Sequence, residues 1–78
     1  MDEKTLLDRI HDLVQEEHGL RAQHQTLTGE SRRRLDHLER QLDQCWDLLR
    51  QRRARAEVGD DPDEARERSV DEVENYLQ

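Results

Sequence analysis

Seventy-eight residues leave room for one small domain, and a chain this short has little interior volume with which to stabilise itself. Apolar residues make up 31 % and charged residues 42 %, and Phe is absent, so composition alone borders on disorder and any fold must come from pattern. The net charge of −7 repels phosphate, no apolar run exceeds two residues, which excludes a membrane span or signal-peptide core, and the single Cys45 excludes an internal disulfide.

The first predicted element runs over about residues 3–27. Leu6, Ile10, Leu13, Glu17, Leu20, His24 and Leu27 recur at spacings of four and three, the repeat that keeps one stripe of a helix against a neighbour, with Leu7 and Val14 widening it. Thr28-Gly29-Glu30-Ser31 then breaks the pattern, and either Thr28 or Ser31 suits the N-cap of a second helix over about 31–58. There Leu35, Leu38, Leu42, Cys45, Leu49, Arg52 and Ala56 repeat the spacing, flanked by Trp46 and Leu48, until Gly59 offers a left-handed stop. So short a bend makes the two helices an antiparallel hairpin, in a register that sets Leu20 near Leu42, Leu13 near Leu49 and Ile10 opposite Arg52. Asp36 to Arg40 and Glu17 to Arg21, four apart, and Arg9 to Asp12 and Asp47 to Arg50, three apart, are spaced for intrahelical ion pairs.

Residues 59–78 form an acidic segment. Asp61-Pro62-Asp63-Glu64 reads as an N-cap, a first-turn proline and a capping-box glutamate, and Ser69-Val70-Asp71-Glu72 repeats the signal. Val70, Val73 and Leu77 share one face, with Tyr76 beside it, so the chain should end in a short amphipathic helix that needs a surface to dock on. The expected fold is therefore all-α: a coiled-coil-like antiparallel helical hairpin over 1–58 with a short C-terminal helical segment. Its narrow leucine stripes call for company. Two hairpins packing into a four-helix bundle would enclose Trp46, Leu7, Val14 and Leu48.

Little in the sequence carries chemistry. Glu17 and His24 in the apolar stripe raise a metal-binding bundle, but bundle di-metal sites use Glu-x-x-His pairs that are absent here, and a polar seam residue more often sets register. His11, His18 and His37 read as solvated surface. Cys45 reads as a small buried hydrophobe, its thiolate disfavoured by Asp43, Asp47 and Glu17 nearby. Arg50, Arg52, Arg53 and Arg55, with Arg32, Arg33 and Arg34, raise nucleic-acid binding. Against it, the four C-terminal arginines point in widely different directions, no aromatic platform accompanies them, and the acidic tail can neutralise them. No nucleophile with a nearby base, Gly-rich phosphate loop or cofactor fingerprint appears, so neither an enzyme nor a cofactor is expected.

The expected role is that of a cytoplasmic, non-enzymatic interaction protein. It should form a homodimer or engage an unidentified protein partner, with Leu42, Trp46, Leu49, Arg52 and Arg53 on the second helix and Val73, Tyr76 and Leu77 in the tail as candidate interaction residues; nucleic acid and membrane are not expected partners.

The block Leu42-Asp43-Gln44-Cys45-Trp46-Asp47-Leu48-Leu49-Arg50-Gln51-Arg52-Arg53-Ala54 resembles a family of short actinobacterial proteins classed as a domain of unknown function. Arg9-Ile10-His11, Glu16-Glu17-His18, Asp61-Pro62-Asp63-Glu64-Ala65-Arg66 and Glu74-Asn75-Tyr76-Leu77-Gln78 are similar to the corresponding stretches, so the likeness covers nearly the whole chain. The family's spacer varies at the Gly29-containing bend. What the resemblance implies is a stand-alone small bacterial protein without an assigned activity, from which no catalytic or ligand residues carry over.

Overall fold

A computed structural model describes residues 1–22 and 28–77, and all of its regular structure is helical. His24 and Leu27 lie outside the described residues, as does the side chain of Leu77.

Helix α1 spans Glu3–Arg21. Asp2 caps it, its Oδ1 accepting from the Thr5 backbone N–H at 2.8 Å, and these hydrogen bonds hold the Asp2 carboxyl below its usual range. Helix α2 spans Gly29–Glu57, and of the two cap residues offered by the sequence Thr28 serves, its Oγ1 accepting from the Ser31 N–H at 3.1 Å. It ends in a Schellman motif. Gly59 takes φ 82°, its N–H reaches the Ala56 carbonyl at 3.2 Å, and the Asp60 N–H reaches the Arg55 carbonyl at 2.8 Å. Only glycine adopts that φ without a Cβ penalty, so the stop is written at one position.

Asp61-Pro62 starts less than a helix: a single 3-10 turn, Pro62–Glu64, capped by Asp61. Residues 65–69 carry no regular structure, and helix α3 spans Val70–Leu77. Ser69 caps α3, its Oγ accepting from the Glu72 N–H at 3.2 Å and its hydroxyl donating to Glu72 Oε1 at 3.3 Å.

Leu6 and Ile10 of α1 pack with Leu42, Cys45, Leu48 and Leu49 of α2, and Leu13, Val14 and Ala65 close over them. The two helices run antiparallel, since Glu3 pairs with Arg53 and Arg21 with Glu39. Their register differs from the sequence expectation. Arg52 meets the Met1 carbonyl, well before Ile10, and Glu16 pairs with Arg34. The physical reason is where α1 ends: it closes at Arg21 with Ala22 as its C-cap, short of the expected residue 27, which changes which residues of the two helices come opposite.

The tail folds back onto its own subunit. α2 packs against α1, the 3-10 turn and α3 together, and Val73 is fully buried. Leu48, expected to stay half exposed in a lone hairpin, is buried, with Ala65 of the tail joining the same cluster. The molecule measures 48 × 26 × 14 Å, and the tail reaches α1 as well as α2, through Ala65 on the core cluster and Glu67 beside Arg9.

Candidate functional site

The candidate residues divide into three groups. Leu42, Leu49 and Val73 are buried and serve the interior. Arg52 is buried as well, and its Nη1 donates to the Met1 carbonyl at 2.6 Å, the Pro62 carbonyl at 3.3 Å and Asp63 Oδ1 at 2.8 Å. One guanidinium thus ties the start of α1 and the 3-10 turn to α2. Its planar, permanently charged head suits this use, because a buried cation is tolerated only where several acceptors surround it. Trp46, 44 % exposed, and Tyr76, 71 % exposed, are the candidates that face solvent along with Arg53.

The arginine cluster is spent largely within the chain. Arg52 pairs with Asp63, Arg53 with Glu3 at 3.3 Å, and Arg55 with Glu64 at 3.6 Å. Arg34 of the earlier run pairs with Glu16. Each of these carboxylates already supplies charge that a phosphate would otherwise bring. Glu17 lies 3.7 Å from Arg21, and among the described residues no group of three or more His, Cys, Asp or Glu is placed to hold a metal ion. Burial pushes the Cys45 thiol up, and the charges that bear on it are Arg9, opposing that shift, and Glu67, adding to it, rather than Asp43 and Asp47. Such a thiol packs and does not attack.

A polar strip on α2, unrecognised from the sequence, holds the tail. Gln44 Nε2 donates to the Arg68 carbonyl at 3.1 Å, and Gln51 Nε2 donates to the Arg66 carbonyl at 2.9 Å and to Asp47 at 2.9 Å. Asp47 is buried, with the Arg68 guanidinium 3.6 Å from it, so it pairs with the tail and not with Arg50. Arg9 likewise turns to Glu67, at 3.9 Å, and not to Asp12. Of the intrahelical pairs, Asp36–Arg40 and Glu17–Arg21 form, at 3.5 and 3.7 Å. The signal was present: Gln44, Leu48, Gln51 and Arg55 repeat a four, three, four spacing, a second helical stripe beside the leucine seam.

At the far end of the tail, Glu74 lies against Asp43. Its Oε1 is shut off from water and meets no donor, and the hydrogen bond it can share with Asp43 requires a proton on one of the two carboxyls. That shared proton, with desolvation and the charges of Asp43 and Asp36, pushes the Glu74 pKa above the ordinary glutamate range against the opposing pull of Arg40.

What remains open is the face of α2 around Trp46. A groove of about 300 Å³ there is lined by Glu17, Arg21, Glu39, Leu42, Asp43 and Trp46. Leu7, 39 % exposed, is the large apolar side chain of α1 left in water. The groove is half polar and holds no assembled nucleophile and base.

These features define a small helical hairpin whose C-terminal tail is clasped to its second helix. The chain belongs to the family described as protein of unknown function (DUF2630), which matches residues 2–78. An uncharacterised protein of Mycobacterium bovis and two of Mycobacterium tuberculosis are each 51 % identical to it over 78 residues, spanning 96 % of this chain and 88 % of theirs. The actinobacterial likeness read from the sequence is thereby shown. No solved structure matches the chain. Among the described residues no helix is long and apolar enough to cross a membrane.

Proposed function

We propose that this chain is a non-enzymatic helical module that associates with a second copy of itself through the face of α2 carrying Trp46. One observation bears most of the weight: the only tryptophan of the chain stands 44 % exposed at an open groove, although the opposite flank of α2 is covered by the tail. Tryptophan contributes more than other side chains to interface energy when it is buried, and leaving it in water forfeits that gain. A second copy laid on that face would bury the indole against another helix.

The tail has a different part in this reading from the one expected of a partner-binding arm. It completes the subunit, and the four-helix bundle becomes two hairpins facing each other with their tails outside. Light scattering of the full chain should give a mass rising with concentration towards twice 9.4 kDa, and Trp46→Glu should hold it at the single-chain value. A wild-type mass that stays at one chain across the micromolar to millimolar range would end the proposal.

A further inference from the structure

We infer that the two copies meet as an antiparallel pair of α2 helices about a two-fold axis through Trp46, in a register written by Glu39 and Arg53. The inference rests on the self-association proposed above and adds its geometry. Glu39, Trp46 and Arg53 are spaced seven apart, so at 100° per residue they stay within about 40° of one another on α2. All three lie on the open side: Trp46 and Glu39 border the same groove, and the Glu39 and Arg53 side chains are both well exposed.

The charges are arranged with opposite sign on either side of the tryptophan. An isologous two-fold contact sets each residue against the one equally far on the other side of the axis. With the axis at position 46, Glu39 of each copy therefore falls opposite Arg53 of the other, and the contact occurs twice. A parallel pairing would oppose Glu39 to Glu39 and Arg53 to Arg53, which like-charge repulsion disfavours. Arg21 and Glu3 of α1 already hold Glu39 and Arg53 at 2.5 and 3.3 Å. The side chains are thus pre-positioned, and each junction becomes an alternating row of four charges.

Charge exchange on the full-length chain tests this. By sedimentation equilibrium Glu39→Arg and Arg53→Glu should each weaken self-association about tenfold, since both symmetric contacts turn repulsive. The double variant and an equimolar mixture of the two single variants should recover it, because each then places Arg against Glu at both junctions. Recovery in the mixture also shows that the single variants fold. A Glu39→Cys chain mixed with an Arg53→Cys chain should give chiefly the 39-to-53 product with a short bismaleimide, Cys45 being buried. Wild-type association that the single swaps leave unchanged, failure of the mixture to recover, or a dominant 39-to-39 product would overturn this register while sparing self-association. A monomeric wild type would overturn both.

Discussion

Arg52 shows how much one side chain can connect. It stands in the leucine seam where a hydrophobe would continue the pattern, and its three acceptors come from segments far apart in the chain. Asp63 is 67 % exposed and can be hydrated if abandoned, so the cost of losing Arg52 is that of its hydrogen bonds and not of a stranded buried anion. Arg52→Met should lower stability by about 1.5–3 kcal/mol in urea unfolding, with amide protection lost first at residues 60–64. The Glu74–Asp43 pair makes the opposite kind of statement. A carboxyl whose pKa is raised on folding stabilises the folded form while it keeps its proton, so the contribution is fully present below the unfolded glutamate value and is lost as pH rises through the raised one. Amides of α3 should therefore be better protected in mild acid than at neutral pH. Glu74→Gln should hold that protection high across the window, and an α3 whose protection rises with pH in the wild-type chain would contradict the reading.

At the scale of elements, what was legible is what is local. Thr28, Gly59, Asp61 and Ser69 each stop or start an element using partners within a few residues, and each does so where the sequence pointed. The leucine stripes named the core for the same reason. Register was not legible, because it depends on where the bend lies, and a bend moved by a few residues slides every cross-helix pair. Nor was Arg52's role, since two of its three acceptors are backbone carbonyls, which every residue offers alike. The docking of the tail was half legible: Val73 marked its apolar face, while Gln44 and Gln51 grip the backbone carbonyls of residues 68 and 66, which the sequence does not single out. Val73 is the apolar anchor of that arrangement, and Val73→Ala should weaken tail docking by about 2 kcal/mol, read as faster amide exchange in residues 70–77 with α1 and α2 unchanged. Equal loss of protection along the whole chain would show instead that the tail and the hairpin unfold as one unit.

On the scale of the whole molecule, α2 is the axis to which everything else attaches. α1 covers one flank, the tail covers another, and the face with Trp46 is open. The candidate site was therefore legible in part: Trp46 stood out as the one large aromatic beside a leucine seam, but Leu42, Leu49, Arg52 and Val73 prove to be occupied within the subunit, which only their long-range contacts could reveal. Because Trp46 is the only tryptophan, its fluorescence reports on that face alone. A dilution series of the full chain, followed by the Trp46 emission maximum, decides whether a second copy covers it. Emission should shift to the red as dilution uncovers the indole, in step with the fall in mass; a maximum that stays at the fully hydrated position at every concentration would mean that no second copy rests on α2.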